Sequence, residues 1–146
     1  MTIAHHTGMA AALTPYCLRL SPGNDLKQGL QTFTESQAIS AGCIVTTVGS
    51  LQQASLRFAG QSEATILNER FEIVSLVGTL SPQGLHLHMA IADSQGHMVG
   101  GHVMPGCLIY TTAEIVVGML SGVTFQRQLD AQTGYRELAI DTESSS

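Results

Sequence analysis

The chain has 146 residues, of which 44% are hydrophobic and only 12% are charged, and its formal net charge is −5. This length is typical of a single domain that buries enough apolar surface to fold without disulfides or a metal ion. The six lysine and arginine residues are scattered along an acidic chain, which argues against binding of nucleic acid through a clustered basic surface.

The same composition indicates the surface and the compartment to expect. Average proteins are about 25% charged, so the low charge of this chain favours a subunit that is partly covered by copies of itself. No cationic start followed by an apolar core marks a signal peptide, and no apolar run is long enough to cross a membrane. We therefore expect a cytoplasmic protein that does not contact a membrane.

The start of the chain is predicted to be an arm that leads into a single domain. Residues 1–14 show no sustained hydrophobic period and are predicted to form a flexible N-terminal arm. Residues 15–141 contain no linker, internal repeat or low-complexity segment and are predicted to form one domain, while the polar residues 142–146 are expected to fray. The segment YCLRL at residues 16–20 is predicted to be the first strand.

One substantial helix is predicted after this strand. Leu26, Leu30 and Phe33 recur at the spacing of a helix face. Asn24 is predicted to cap the start of the helix and Gly42 to end it, because short polar side chains favour the first position and glycine favours the last.

The rest of the sequence is almost entirely strand-like. Eight further segments are rich in β-branched or apolar residues, and turn-forming residues lie near most of the breaks between them. These predicted strands are residues 43–59, 64–68, 70–80, 85–93, 97–103, 107–120, 123–130 and 135–140. Because the connections are short, we expect hairpins, and the predicted fold class is α+β, with a mostly antiparallel sheet and one main helix packed on it.

Four of the six histidines lie in one predicted hairpin. The stretch DSQGH at residues 93–97 suits a three-residue loop in which glycine takes the left-handed position. In that register His88 lies directly opposite His102, and His86 lies on the same face because it is two residues from His88. His97 falls on the other face. The pattern therefore separates three convergent histidines from one that points away.

The glycines around these histidines leave two alternatives open. If the preceding turn also has three residues, Gly78 lies opposite His88, and together with Gly100 and Gly101 it would leave space for a ligand or a neighbouring backbone. A bulge at the two consecutive glycines would instead shift the register by one residue and turn His102 to the wrong face.

Three neutral imidazoles on one face can meet around a metal ion, and zinc is the first choice for such donors. The alternative is a set of hydrogen-bonded surface histidines without a metal. A site with three histidines leaves a coordination position open for water or a ligand, or for a neighbouring subunit to close. Glu114 could assist this site. A turn at Pro105 and Gly106 would pair the two flanking predicted strands with His102 opposite Ile109, and the alternation from Ile109 then points Glu114 away from the histidines. Glu114 is therefore primarily expected to be a structural or interface carboxylate.

The run GTLSPQGLHLHMAIADSQGHMVGGHVMPGCLIYTTAEIVV at residues 78–117 resembles the plant and prokaryote conserved (PPC) domain. The resemblance extends over nearly everything between residues 16 and 140, and the combination of GxHLHxxxxD with GGH is specific. It implies an antiparallel sheet with helix, a tight homotrimer, and a metal, usually zinc, held by His86, His88 and His102. A segment similar to ERFEIV at residues 69–74 is associated with protein–protein interaction in the plant members.

The resemblance also implies a DNA-binding or regulatory role. In the plant members an Arg-Gly-Arg motif contacts DNA, and this tripeptide is missing from the sequence, which is acidic as well. Residues 69–74 also fit a plain alternating strand in the core or in the trimer contact.

The principal hypothesis is a trimeric metal-binding module with a DNA-binding or regulatory role. The alternative is a small metal-dependent enzyme, similar to a hydrolase, that acts on an unidentified small molecule at the metal, with His97 or Glu114 of an adjacent subunit transferring protons. Direct DNA binding is a third hypothesis, which the charge disfavours.

Overall fold

The computed structural model describes residues 10–142, which form nine β-strands and one α-helix. In chain order these are β1 (Leu13–Leu20), α1 (Leu26–Ser36), β2 (Gly42–Arg57), β3 (Thr65–Leu67), β4 (Phe71–Ser81), β5 (Gly84–Ala92), β6 (Met98–Val103), β7 (Leu108–Leu120), β8 (Val123–Leu129) and β9 (Arg136–Thr142). All strand pairs between these elements are antiparallel. The predicted class, a mostly antiparallel sheet with one helix, is therefore confirmed.

The ends of the chain modify the predicted boundaries. Strand β1 begins at Leu13, two residues inside the predicted arm, and pairs there with the end of β7. Residues 1–9 of that arm, and residues 143–146 of the predicted frayed end, lie outside the described residues. Within the described part, the helix has 11 residues and is too short to cross a membrane.

The long strand β2 organises the main sheet. The strand order is β1-β7-β2-β4-β5-β6, and β3 pairs with β2. The last residues of β2 also pair with β6. This second pairing closes β2, β4, β5 and β6 into a ring. Irregularities in the β2–β7 register accompany the change of partner along β2. The closure places Arg57 of β2 directly opposite His102 of β6.

The core lies on the inner side of this sheet, where helix α1 contacts β4, β5 and β7. Leu26 and Leu30 of the helix are fully buried against it. Within the segment 69–74, Phe71 and Ile73 are buried whereas Glu72 is exposed, which confirms the plain alternating strand. Arg70, at the start of this segment, lies outside the core with its guanidinium 4.4 Å from the centre of the Tyr110 ring.

The helix starts and ends at different residues from those predicted. Asp25, not Asn24, is the N-cap, and its carboxylate accepts a hydrogen bond from the backbone N–H of Gln28 at 3.0 Å. The other carboxylate oxygen accepts from the backbone N–H of Gly106 at 2.5 Å, which ties the helix to the turn before β7. The helix ends at Ser36, before Ala38 in a left-handed conformation, and not at Gly42.

Strands β8 and β9 form a separate two-stranded hairpin. Val123 and Phe125 pack with Ala41 in a small second core, and the backbone N–H of Phe125 donates to the Ser40 carbonyl oxygen at 3.0 Å. Farther along β8, the Gln83 side chain in the β4–β5 turn accepts a hydrogen bond from the Arg127 backbone N–H at 2.8 Å. These contacts hold the hairpin beside the start of β5.

Candidate metal centre

The loop at residues 93–97 fixes the conformation of the β5–β6 hairpin through its own side chains and its glycine. The backbone N–H of Asp93 donates to the His97 carbonyl oxygen at 3.0 Å, and Gly96 takes a positive φ of 82°. The Asp93 carboxylate accepts from the backbone N–H groups of Gln95 and His97, at 2.8 and 2.9 Å. Glycine suits the left-handed position because it has no Cβ. The predicted three-residue loop is confirmed.

This loop sets the register that brings the histidines together. The ladder runs without a shift from Ala92 opposite Met98 to His88 opposite His102, so the two glycines form no bulge. On β5 the apolar residues that alternate with the histidines, Leu85, Leu87 and Met89, are buried, while His86 and His88 are exposed on the outer face. The structure therefore confirms the predicted register at His88 and His102.

The three imidazole rings lie close to one another on the outer face. One ring nitrogen of each of His86, His88 and His102 lies within 4.8 Å of the corresponding nitrogen of the other two. The Nε2 atoms of His86 and His88 are 3.2 Å apart. The ring centres are separated by 5.0 Å for His86 and His88, 5.2 Å for His86 and His102, and 5.6 Å for His88 and His102.

These distances suit three ligands of one ion. Zinc–nitrogen bonds of roughly 2.0–2.1 Å in tetrahedral geometry place two donor nitrogens about 3.4 Å apart, so the rings need only small side-chain rotations. Each imidazole offers a nitrogen lone pair when it is neutral. The arrangement of donors therefore fits a divalent metal such as zinc.

The surroundings keep two of these imidazoles neutral. Partial burial, together with the positive charges of Lys27 and Arg57, lowers the pKa of His102 to about 4. Partial burial also lowers the pKa of His86, with contributions from His88 and Arg127. Both rings are therefore unprotonated at pH 7, the state that metal ligation requires.

The lowered pKa of His102 predicts how the stability of the metal-free protein changes with pH. The unfolded chain takes up a proton at this residue near pH 6.5, whereas the folded chain does so only near pH 4. Acidification through that window therefore favours the unfolded state. We expect acidification from pH 6.5 to pH 4 to lower the melting temperature of the His102→Asn variant by roughly 2–4 °C less than that of the wild type. The difference is small because solvent screens the charge of a partly exposed ring.

Melting curves of the chelator-treated proteins at several pH values would measure this difference. His97→Asn is the control, because His97 is an exposed loop histidine of the same hairpin that lies outside the cluster. Parallel pH profiles of the wild type and His102→Asn would contradict the prediction.

The structure corrects the predicted position of Gly78 and favours the second of the two roles predicted for the glycines, the close approach of a neighbouring backbone. The turn between β4 and β5 has two residues, not three, so Gly78 lies opposite Leu87 and not opposite His88. A Cβ at Gly78 would collide with the His86 carbonyl oxygen, and one at Gly100 would lie 2.9 Å from the Met89 carbonyl oxygen. The room at these glycines is occupied by the neighbouring backbone and does not receive a ligand.

Glu114 lies away from the histidines, but for a different reason from the one predicted. The prediction assumed a hairpin between β6 and β7, with His102 opposite Ile109. Instead β6 pairs with β5 and β2, and β7 pairs with β1 and β2. Glu114 is exposed opposite Arg19 and Val48, three strands from β5 in the sheet order.

A cavity that the sequence did not reveal opens beside the cluster. It has a volume of about 470 Å³, and its lining includes His86 and His102 together with Arg57, Arg127 and Arg136. Arg57 reaches it through the β2–β6 pairing, and the other two arginines through the β8–β9 hairpin. No local pattern signals this meeting, because the three arginines lie far from the histidines in sequence.

A protein-family model and several curated proteins match most of this chain. A family model described as the Plants and Prokaryotes Conserved domain matches residues 8–121. Among curated proteins, the bifunctional protein GlmU of Synechococcus sp. strain JA-3-3Ab is 54% identical over 130 residues, which cover 89% of this chain and 21% of that protein. The AT-hook motif nuclear-localized protein 2 of Arabidopsis thaliana is 28% identical over 128 residues, covering 82% of this chain and 38% of the plant protein. The chain thus spans well under half the length of these relatives.

Two solved structures share the fold over nearly the whole chain. A hypothetical protein from Salmonella enterica is 44% identical, with a TM-score of 0.91, and the match covers 96% of this chain and 100% of that one. A protein from Archaeoglobus fulgidus described as metal-containing is 27% identical, with a TM-score of 0.79, and the match covers 92% of this chain and 99% of that one.

Proposed function

The chain belongs to the Plants and Prokaryotes Conserved domain family, and on that premise we propose that it is a homotrimeric module that holds one zinc ion per chain. His86, His88 and His102 would be the protein ligands. The observation that carries this proposal is the convergence of three imidazoles from two paired strands, with one ring nitrogen of each within 4.8 Å of the others. The printed description of the Archaeoglobus protein as metal-containing supports it.

The proposed trimer rests on apolar side chains that lie on the same outer face as the histidines. Val77 is 56% exposed and lies directly opposite His88, and Met98, opposite Ala92, is 66% exposed. Val74, on the same strand as Val77, is 50% exposed. Such a patch on a chain with so few charged residues favours burial against identical subunits. A neighbouring subunit could also supply a further ligand to the metal.

Elemental analysis tests this proposal directly. We expect protein purified without chelator to contain about one zinc ion per chain, and treatment with a chelator to remove it. The anomalous scattering of crystals at the zinc edge should place the ion among the three imidazoles. Absence of a stoichiometric metal after zinc loading would refute the metal site, and a monomeric mass in light scattering would refute the assembly.

The relatives combine a matching segment with different further segments of chain. Matching segments occur in an AT-hook nuclear protein and in the bifunctional protein GlmU, where they make up a minor part of each chain. The present sequence has a net charge of −5 and contains no Arg-Gly-Arg. We therefore assign to this domain a role in assembly or regulation, in which DNA contact depends on other segments and not on a basic surface of its own.

A metal-dependent enzyme is the second candidate function. The observation that favours it is the cavity of about 470 Å³ that opens onto His86 and His102. A divalent metal with three protein ligands would supply Lewis-acid chemistry and keep a position open for a substrate. In this reading, the residues of the chain would hold the metal and orient a small molecule in the cavity.

A further inference from the structure

The cavity beside the three histidines has a chemical character of its own. We propose that it binds a small oxyanion, either inorganic phosphate or a short carboxylate or phosphate ester, through the guanidinium groups of Arg57, Arg127 and Arg136. These residues are not ligands of the proposed metal, so the anion site goes beyond the proposed function. Two of the three belong to the β8–β9 hairpin, which begins after residue 121, where the family model match ends.

The lining of this cavity is rich in positive charge. Three of the six lysine and arginine residues of the whole sequence line it. Glu137 is the one acidic residue on its wall, and its carboxylate accepts a hydrogen bond from the Thr133 hydroxyl at 3.0 Å. Among residues 10–142, no guanidinium nitrogen lies within 4.0 Å of a carboxylate oxygen. A concave site with this excess of positive charge attracts anions.

The protein orients the three guanidiniums while leaving most of their donors free. Arg127 donates to the Thr79 hydroxyl at 2.8 Å, beside His86 on the next strand. Arg136 donates to the Arg127 carbonyl oxygen at 3.2 Å, and Arg57 donates to the Gln61 carbonyl oxygen at 3.2 Å. A guanidinium has five N–H donors in a planar fork that matches carboxylate and phosphate oxygens. One protein contact each leaves that fork available for a bound anion.

Gln83 fixes the position of the hairpin that carries two of these arginines. Its side-chain oxygen accepts from the Arg127 backbone N–H at 2.8 Å, and its side-chain nitrogen donates to the Gln126 side-chain oxygen. Gln83 lies in the turn that leads into β5, two residues after Ser81 and three before His86. The same turn therefore positions the metal-binding strand and the anion-binding hairpin, and Gln83 is a positioning residue.

The volume and the apolar lining of the cavity indicate the size and the character of its ligand. Its volume of about 470 Å³ falls within the roughly 300–1,000 Å³ range of small-molecule sites. Leu85 and the exposed ring of Tyr135 add apolar surface to the charged wall. The site therefore suits a small metabolite with an anionic end and a short apolar body, and its opening onto His86 and His102 would bring that ligand next to the metal.

Calorimetric titration with inorganic phosphate and with succinate tests the proposal at low ionic strength. We expect at least one of these probes to bind the chelator-treated wild-type protein, and the Arg136→Gln variant to bind it about tenfold more weakly. Arg57→Gln is a second variant with the same expected loss, on a different element. Arg70→Gln is the matched control, because it removes the same charge at a residue that does not line the cavity. Its affinity should stay within about twofold of the wild type.

Three outcomes would overturn the proposal. The first is that neither probe binds the wild-type protein at concentrations on the order of 10 mM. The second is that Arg70→Gln weakens binding as much as Arg136→Gln, which would point to the overall field of the protein. The third is that Arg136→Gln lowers the molecular mass measured by light scattering, which would assign these arginines to a contact between subunits. Zinc content is measured in parallel. Because anion binding is measured in the metal-free protein, the result for the anion site does not depend on the result for the metal site.

Discussion

The His88→Ala variant is expected to lose its zinc. His88 lies opposite His102 and next to His86 in space, so its removal leaves two imidazoles and breaks the set of three donors. Loss of groups that merely orient a metal ligand weakens metal binding by about 10–100-fold, and removal of a ligand itself should weaken zinc binding by more than about 100-fold. Competition of the protein with a fluorescent zinc chelator would measure this change.

His97→Ala is the matched control for this prediction. It removes the same side chain from the same hairpin, but from a loop position outside the cluster. We expect its zinc affinity to equal that of the wild type, and both variants to keep the circular dichroism spectrum of a β-rich fold. Equal zinc binding by wild type and His88→Ala would contradict the assignment of ligands. A zinc-dependent activity in a broad hydrolase screen that disappears in His88→Ala but not in His97→Ala would favour the enzyme over the binding module.

The Val77→Glu variant is expected to dissociate the proposed trimer. Val77 is 56% exposed in the single chain and lies on β4, between β2 and β5, so a surface that covers the sheet would cover it. A trimer would then have to bury three carboxylates among apolar side chains of the contact, and the desolvation of each charge costs several kcal/mol. Light scattering should show a mass of about three times 15.4 kDa for the wild type and about 15.4 kDa for the variant.

Ile66→Glu provides the comparison for the assembly. Ile66 is 49% exposed but lies on β3, which pairs only with β2 among the described strands. We expect this variant to keep the mass of the wild type. A Val77→Glu variant that folds and keeps the mass of a trimer would show that the outer face near His88 is not the contact between subunits.

The β5–β6 hairpin was predictable because all of its determinants are local. The loop from Asp93 to His97 contains its own hydrogen-bond acceptor and its own left-handed glycine, so the residues alone fix the register. From that register and the alternation of β5, the convergence of His86, His88 and His102 follows. The neighbouring turn has one residue fewer in its loop than predicted, and this difference displaced Gly78 by one position.

The parts that could not be predicted depend on contacts between distant segments. A hairpin between β6 and β7 was expected, but Asp25 binds the Gly106 N–H in that connection and the Leu26 N–H donates to the Cys107 carbonyl oxygen at 2.8 Å. The start of the helix therefore contacts this connection, and β7 pairs with β1 and β2 and not with β6. Arg57 and Arg127 likewise reach the cavity through pairings that no local pattern specifies.

The difference between these two kinds of contact has a consequence for the order of folding. His88 and His102 belong to one hairpin with a short loop, so few residues have to be ordered before they meet, and such hairpins form in about 1–10 μs. The arginines of the cavity meet only after the ring of strands closes and the last hairpin docks, which involves much larger sequence separations. We therefore expect the three histidines to come together early, so that a zinc ion bound by them would restrain the hairpin while the remainder of the chain is still folding.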